Sequence, residues 1–311
     1  MKDLKVFITR RLPSVARDLL SEHFYVEESN KNEPLSLDKL NDVVRDFDAV
    51  LSTVSERFTK EILSKKDKLK VISNYAVGLN NIDLEYAKSI GVNVYNTPNV
   101  VTNSTADMTF ALLLSLIRNI PDAQSFIKDG KWGSWNPEIF LGEELNNKTF
   151  GIIGFGRIGK AVARRAISFG LKVIFYNPSL IKNKDGINAN QVGLEELLID
   201  SDYISIHAPL NDSTIGIVNL KLISKMKKQP ILLNLARGEI INTNDLAIAL
   251  EKGLIRGAAL DVVNPEPLQG NHNLLKFKNC LIVPHIGTAT KECRYNMAKL
   301  AAENIINHFR K

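Results

Sequence analysis

Short apolar runs alternate with amphipathic stretches along the first 95 residues. Strand-length runs occupy residues 6–9, 49–53, 71–74 and 92–95. Between them the apolar spacing is helical, as at residues 37–46 and 83–90, and Gly91 stands where a helix often ends in glycine. Strands that alternate with helices build parallel, doubly wound sheets, so this region predicts an α/β domain.

Residues 148–177 carry the strongest local pattern. An apolar strand at 150–153 is followed by Gly154, Gly156 and Gly159 in G-x-G-x-x-G spacing, then by a helical pattern and a second strand at 173–176. In such a unit Gly154 permits the sharp turn, Gly156 lets the backbone approach a pyrophosphate, and Gly159 lets helix and strand pack closely. The N–H groups and dipole of the helix N-terminus then hold the phosphates, so the unit predicts dinucleotide binding rather than a plain tight turn.

The rest of the chain predicts a second parallel sheet and a discontinuous first domain. Further buried strands are predicted at residues 203–207, 231–235, 258–262 and 281–284. The amphipathic helix at 289–310 is expected to pack back on the first domain. We therefore predict a substrate-binding domain of residues 1–98 and 287–311 and a dinucleotide-binding domain of residues 99–286, the first flavodoxin-like and the second Rossmann-type.

A long apolar helix is predicted at residues 105–120, with Pro121 ending its pattern. A helix with so wide an apolar face is expected to be buried, either inside the second domain or across a subunit interface. The aromatic-rich loop that follows, with Trp132, Trp135 and Pro137, either packs on the protein or lies at the edge of a site.

Composition and charge narrow the classes of function. A chain of 311 residues with 44% hydrophobic and 24% charged residues is typical of a two-domain globular protein. The net charge of +6 is spread along the chain without a basic, aromatic-rich block, which argues against nucleic acid and suits anionic substrates. The longest apolar run is too short to span a bilayer. Cys280 and Cys293 show neither metal nor disulfide spacing, so a metal-free protein of the reducing cytoplasm is expected.

Three polar residues stand just past predicted strands of the second half: Arg237, Glu266 and His285. The carboxyl ends of neighbouring parallel strands converge, so all three can reach one crevice beside a cofactor. Arginine binds carboxylates with a fork of donors, and a glutamate beside an imidazole stabilises its protonated form. Each also has a structural interpretation, as a turn arginine, a solvated loop acid and a structural histidine. The loop at residues 74–78 either aims backbone N–H groups at an anion or simply joins a strand to a helix.

Several longer motifs agree with one family. They are NYAVG at 74–78 with NID at 81–83, GIIGFGRIG at 151–159, HAPL at 207–210, NLARG at 234–238, DVVNPEP at 261–267 and PHIGTA at 284–289. With these motifs the chain resembles the D-isomer-specific 2-hydroxyacid dehydrogenase family over essentially its whole length. The resemblance implies two α/β domains with hinge closure, homodimerisation through the nucleotide domain, and hydride transfer between a nicotinamide cofactor and a small 2-oxo acid.

The resemblance also implies roles for individual residues. His285 is expected to be the general acid/base, Glu266 to tune its pKa, and Arg237 to bind the carboxylate and carbonyl groups of the substrate. The backbone of Ala76, Val77 and Gly78 is expected to hold the substrate carboxylate. The residues expected to line the cofactor are Thr105, Gly154, Gly156, Arg157, Ile158, Gly159, Asn177, Ser179, His207, Ala208, Pro209, Thr214, Ala236, Asp261, His285 and Gly287.

The position of Asn177 departs from the NAD-binding pattern. An acidic residue about 20 residues past the glycines binds the ribose hydroxyls in an NAD enzyme. Asn177 lacks the charge that repels a 2′-phosphate, and Ser179, Lys182 and Lys184 lie close to it in sequence. No arginine follows Asn177 directly, unlike in NADP-preferring relatives. The sequence therefore favours NADP(H) over NAD(H), with use of both.

The loop with WNP at 135–137 and FLG at 140–142 is similar to the glyoxylate/hydroxypyruvate reductase branch of the family. Reduction of glyoxylate or hydroxypyruvate to a D-2-hydroxy acid is therefore the leading hypothesis. Alternatives on the same scaffold are a dehydrogenase of D-lactate, 3-phosphoglycerate, formate or phosphite, or a non-catalytic nucleotide-sensing regulator. The presence of Arg237, Glu266 and His285 argues against the regulator.

Overall fold

The computed structural model describes residues 1–310 and divides the chain into two compact units. The first contains Met1–Val101 and the chain from Ala289 onward, and the second contains Thr102–Thr288. The helices are α1 Val15–Ser21, α2 Leu37–Asp46, α3 Lys60–Leu63, α4 Leu84–Ser89, α5 Thr102–Ile117, α6 Ile120–Lys128, α7 Arg157–Ser168, α8 Leu194–Asp200, α9 Leu220–Ile223, α10 Thr243–Glu251 and α11 Lys291–Arg310. The strands are β1 Lys5–Ile8, β2 Tyr25–Glu28, β3 Ala49–Ser52, β4 Val71–Asn74, β5 Asn93–Tyr95, β6 Thr149–Ile153, β7 Lys172–Tyr176, β8 Asn190–Gln191, β9 Tyr203–Ile206, β10 Ile231–Asn234, β11 Gly257–Leu260 and β12 Cys280–Ile282.

The first unit is a five-stranded parallel sheet in the order β2-β1-β3-β4-β5. The apolar stripe of α2, with Leu40, Val43 and Val44 at helical spacing, is buried in one core of this sheet. Ser36 caps the N-terminus of that helix, because its side chain accepts a hydrogen bond from the N–H of Lys39. All strands run the same way, so their carboxyl ends meet along one edge of the sheet.

The C-terminal helix α11 covers the first unit. The hydroxyl of Ser73, in β4, donates a hydrogen bond to the carbonyl of Ala301 at 2.8 Å. Ala298, Ala301 and Ala302 are fully buried, and their small side chains let the helix lie close to β4. The last helix of the chain therefore completes the core of a domain that begins at its first strand.

The second unit is a seven-stranded parallel sheet in the order β12-β11-β10-β9-β6-β7-β8. A hydrophobic core lies on each face, with Phe150 and Ile152 of β6 in one and Ile153 in the other. Strands buried on both faces read as continuous apolar runs, as the sequence showed. The predicted α/β fold with two parallel sheets is confirmed.

About half of the residues of helix α5 are buried within its own unit, where the helix packs against α7 and β11, and Asn103, Asp107 and Ala111 are exposed. The prediction that it runs to residue 120 and ends at Pro121 is wrong. The helix ends at Ile117, and Asn119 then takes a left-handed conformation with φ +53°. Pro121 lies in the first turn of α6, where proline is tolerated because no helical N–H partner is required there. In the described part of the chain, residues 1–310, no helix has the length and apolar character to cross a bilayer.

Candidate active site

Three neighbouring strands of the second unit end at polar residues. Strands β10, β11 and β12 lie side by side and run parallel, so the loops after them leave from the same edge of the sheet. Arg237 follows β10, Asp261 begins the loop after β11, and His285 follows β12. The loop after β11 also carries Glu266, and the structure brings it to His285.

His285 and Glu266 form a close pair. The Nδ1 atom of His285 lies 2.7 Å from Oε1 of Glu266, and the two side chains are 31% and 42% exposed. The backbone of His285 is left-handed, with φ +52°, and its N–H donates to the carbonyls of Asp261 and Val283. Since Glu266 occupies Nδ1, Nε2 is the ring nitrogen that can exchange a proton with a substrate.

Asp261 organises the loop that carries His285. Its carboxylate accepts hydrogen bonds from the N–H of Ile286 at 2.7 Å and from the N–H of Gly287 at 2.9 Å. Burial raises the pKa of Asp261, while the nearby His285 and these two N–H groups act to lower it. Ser104, which the sequence did not single out, donates its hydroxyl hydrogen to the carbonyl of Gly287 at 2.9 Å. Only the fold reveals this contact, because the two residues are distant in sequence.

Arg237 forms hydrogen bonds with residues at the end of β10 and just after it. The side chain of Asn234, fully buried, donates to the carbonyl of Arg237 at 2.9 Å and accepts from the N–H of Ala236 at 3.1 Å. One guanidinium nitrogen of Arg237 donates to the carbonyl of Ala236 at 2.7 Å. Burial lowers the pKa of Arg237, and the charges of Glu239 and Glu266 raise it. Arg237 and the His285–Glu266 pair therefore stand on loops that leave the same edge of the sheet.

The glycine turn between β6 and α7 has the close contacts that a dinucleotide-binding unit needs. Gly154 has φ +96°, and a Cβ atom there would lie 2.7 Å from the N–H nitrogen of Ala208. A Cβ atom on Gly159 would overlap the carbonyl of Gly154, whereas one on Gly156 would meet nothing within 4 Å. Helix α7 begins at Arg157 without a capping side chain among the described residues. Open space beside Gly156 and an uncapped helix N-terminus fit a pyrophosphate.

At the end of β7, the side chain of Asn177 forms hydrogen bonds with neighbouring loop residues. Its side-chain oxygen accepts from the N–H of Phe155 at 3.4 Å, and its amide nitrogen donates to the carbonyl and the hydroxyl of Ser179, each at 3.1 Å. Lys184 donates to the carbonyl of Ala189 at 2.8 Å, whereas Lys182 is exposed. Asn177 thus ties the glycine turn to the loop after β7.

The other predicted cofactor residues lie on several elements of the second unit. Arg157 is exposed and Ile158 is partly buried in the first turn of α7, and Thr105 is buried in α5. After β9 come His207, Ala208 and Pro209, and the hydroxyl of Thr214 donates to the carbonyl of Pro209 at 2.8 Å.

His207 is held as a neutral imidazole. Its Nε2 lies 2.8 Å from the hydroxyl oxygen of Ser205, and its buried Nδ1 has no hydrogen-bond partner within residues 1–310. Burial lowers the pKa of His207 to about 3.

The predicted substrate loop lies in the first unit. Ala76, Val77 and Gly78 follow β4 after Tyr75, with Ala76 buried and the other two half-buried. The carbonyl of Ala76 accepts from the N–H of Thr97 at 2.8 Å. The structure therefore places this loop at the carboxyl edge of the first sheet, and the Arg237, Glu266 and His285 group at the carboxyl edge of the second.

Comparison with known proteins agrees with the sequence motifs. Residues 110–287 match the model of the D-isomer-specific 2-hydroxyacid dehydrogenase NAD-binding domain. The chain is 43% identical over 309 residues to a glyoxylate reductase of Thermococcus litoralis, covering 97% of this chain and 92% of that protein. A solved structure from Thermus thermophilus is 38% identical with a TM-score of 0.92, covering 99% of this chain and 97% of that one.

A third relative binds a known cofactor. It is the NADPH-dependent glyoxylate/hydroxypyruvate reductase of Sinorhizobium meliloti, solved in complex with NADP and malonate. It is 26% identical with a TM-score of 0.87, and the similarity covers 98% of this chain and 93% of that one. The family model spans more than half of the sequence, and the Thermococcus litoralis relative matches nearly all of it. The chain therefore belongs to the D-isomer-specific 2-hydroxyacid dehydrogenases, a family of NAD(P)-dependent enzymes.

Proposed function

We propose that the protein reduces glyoxylate, and hydroxypyruvate as a second substrate, to the corresponding D-2-hydroxy acid with a reduced nicotinamide cofactor. The observation that carries this proposal is the His285–Glu266 pair, 2.7 Å apart, at the same sheet edge as Arg237. The glyoxylate reductase of Thermococcus litoralis, 43% identical to this chain, supports the choice of substrate.

The pair of His285 and Glu266 is suited to proton transfer. When bound, the reduced nicotinamide supplies the hydride, which is added to the carbonyl carbon of the oxo acid. His285 donates the proton from Nε2 to the carbonyl oxygen, so the double bond becomes an alcohol. Glu266 accepts the hydrogen bond from Nδ1–H and holds the ring in place during that transfer.

Arg237 and the loop of the first unit are assigned to substrate binding. The planar guanidinium of Arg237 can donate to two oxygens at once and bind the carboxylate and the carbonyl of the oxo acid. The backbone of Ala76, Val77 and Gly78 is assigned to the substrate carboxylate. Asp261 acts indirectly as well, because its carboxylate holds the backbone next to His285.

The end of β7 supports a preference for NADP(H), with NAD(H) also used. Asn177 is neutral, so no charge at this position repels a 2′-phosphate. Ser179 contacts Asn177, and Lys182 is exposed in the same loop after β7, where its ammonium group can pair with the phosphate. Lys184 contributes less, since the carbonyl of Ala189 already binds it.

The protein is proposed to act as a homodimer through the second unit. Five large apolar side chains on α6 and the loop after it are half exposed or more: Ile120 at 52%, Ile127 at 50%, Trp132 at 62%, Trp135 at 82% and Leu141 at 72%. We call these five residues the α6 face. Exposed apolar groups concentrated on one segment are typical of an interaction surface.

Initial rates provide the test. The wild-type protein should oxidise NADPH, and NADH more slowly, when glyoxylate or hydroxypyruvate is added, and pyruvate should be a poorer substrate. His285→Ala should lower kcat by about 100-fold or more, because general acid catalysis is lost, and change the Kd of NADPH much less, because His285 carries the proton and does not hold the phosphates. Near-wild-type turnover by His285→Ala would remove His285 from the chemistry. A wild-type protein that binds NADPH but reduces none of the three acids would contradict the proposed substrate class.

A further inference from the structure

The backbone carbonyl groups of three consecutive residues after β4, Ala76, Val77 and Gly78, each accept a hydrogen bond. The carbonyl of Ala76 accepts from the N–H of Thr97 at 2.8 Å. The carbonyl of Val77 accepts from the side-chain amide of Asn96 at 2.8 Å, and that of Gly78 accepts from the side-chain amide of Asn74 at 3.0 Å. Each donor belongs to the first unit.

This anchoring fixes the direction of the next N–H groups. In a trans peptide the C=O of one residue and the N–H of the following residue point in opposite directions. The N–H groups of Val77, Gly78 and Leu79 therefore point away from the three donors. Within residues 1–310 these N–H groups donate no hydrogen bond. We call them the amide row.

The anchors are themselves held in place. Asn74 is fully buried, accepts from the hydroxyl of Ser52 at 3.1 Å and donates to the side chain of Asn81 at 3.0 Å. The amide of Asn81 in turn donates to the carbonyls of Thr53 at 3.0 Å and Glu56 at 2.8 Å. A fully paired polar network of this kind is rigid, so the peptide units above it are fixed before any ligand arrives.

Asn96 is held by the C-terminal helix α11 and not by the network around Asn74. The side-chain amide of Asn304, in α11, donates to the carbonyl of Asn96 at 3.0 Å. Asn96 is half-buried and lies just after β5, outside the buried network of Asn74. It can therefore be changed with less risk to folding than Asn74.

We propose that Asn96 is a positioning residue for substrate binding, which sets the Val77–Gly78 peptide so that the amide row receives a carboxylate. This inference rests on the proposed function for the identity of the carboxylate. A row of preset N–H groups binds an anion without the cost of reorientation, whereas a free peptide would turn its carbonyl toward the anion for part of the time. Asn96 does not touch the reacting atoms and acts only through the peptide.

The test compares Asn96→Ala and Asn96→Leu with Asn93→Ala. Leucine keeps the side-chain volume but has no donor, and Asn93 is an exposed asparagine of β5, the strand that Asn96 follows. Both Asn96 variants should raise the KM for glyoxylate and the Kd for oxalate about 10-fold, the loss expected when a hydrogen bond to a charged group is misdirected. The KM for the cofactor should not change, and Asn93→Ala should behave as wild type.

Oxalate binding to the cofactor-saturated protein, measured by calorimetry, separates the two proposals. A wild-type protein that binds oxalate but reduces no oxo acid would contradict the proposed function alone. Oxalate binding by Asn96→Leu with the wild-type Kd would overturn the role of Asn96, and so would a wild-type protein that does not bind oxalate. An equal rise of the cofactor and glyoxylate KM values in the Asn96 variants would point to general distortion and would also overturn it.

Discussion

At the scale of single residues, His285 shows how the site maintains an unfavourable conformation. A left-handed backbone at a residue other than glycine costs roughly 1 kcal/mol, yet His285 adopts φ +52°. Its N–H donates to the carbonyl of Asp261, and the carboxylate of Asp261 binds the next two N–H groups. These hydrogen bonds offset the cost and leave the ring against Glu266.

Arg237 is expected to require its guanidinium geometry. Arg237→Lys should raise the KM for glyoxylate and lower kcat, with a combined loss in kcat/KM of about 10- to 100-fold, because a point charge cannot replace two parallel donors. Steady-state rates with glyoxylate measure this. Arg164→Lys, an exposed arginine on α7, serves as the matched control and should change neither constant. A KM unchanged in Arg237→Lys would exclude Arg237 from the substrate site.

His207 should make the protein sensitive to acid. Its pKa is about 3 in the folded protein and near 6.5 when unfolded, so between these values the unfolded state binds more protons and stability falls as the pH falls. At pH 5 the loss is roughly 2 kcal/mol. Urea unfolding of His207→Asn at pH 7.5 and pH 5 should show a smaller difference between the two pH values than the wild type. His23→Asn should retain the wild-type difference, and a full wild-type difference in His207→Asn would refute the assignment.

At the scale of elements, most strands were predictable, whereas β2, β8 and several element boundaries were not. Strand β4 was predicted with its observed bounds, although only Val71 and Ile72 in its first half are apolar. Strand β2 was missed, since Tyr25 and its neighbours are partly exposed at the sheet edge and carry two glutamates. The end of α5 was misplaced because the left-handed turn at Asn119 has no strong sequence signal before Pro121.

The candidate site was predictable only in part. Arg237, Glu266 and His285 could be named from their positions after strands, and the 2.7 Å contact between the last two agrees with that interpretation. Asn96 and Ser104 could not be found in this way. Their partners, Val77 and Gly287, are remote in sequence, and side-chain contacts to a backbone carbonyl leave no pattern along the chain.

The end of β7 should control the choice of cofactor. Asn177→Asp places a charge where a 2′-phosphate would lie, so the ratio of kcat/KM for NADPH to that for NADH should fall about 10-fold or more. Asn183→Asp adds the same charge to the exposed loop after β7 and should alter the ratio much less. If Asn177→Asp changed kcat/KM equally with NADPH and NADH, this position would not distinguish the two cofactors.

At the scale of the whole molecule, the α6 face predicts the oligomeric state. Sedimentation velocity should give a mass near 69 kDa, twice the 34.7 kDa of one chain. Leu141→Lys should shift the protein toward the monomer, because a buried charge without a partner destabilises an interface. Ile199→Lys changes an exposed apolar residue of α8 and should leave the mass unchanged. A monomeric wild-type protein at micromolar concentration would contradict the proposed dimer.

The position of α11 has a consequence for synthesis on the ribosome. Ser73 and its partner Ala301 are 228 residues apart, so the core of the first unit stays uncovered while all of the second unit is translated. At about 5–20 residues per second this interval is roughly 10 to 50 seconds. The second unit is continuous in sequence and can fold during that time. The first unit to be translated is therefore the last to be completed, and its apolar sheet face is the surface that a nascent-chain chaperone would need to protect.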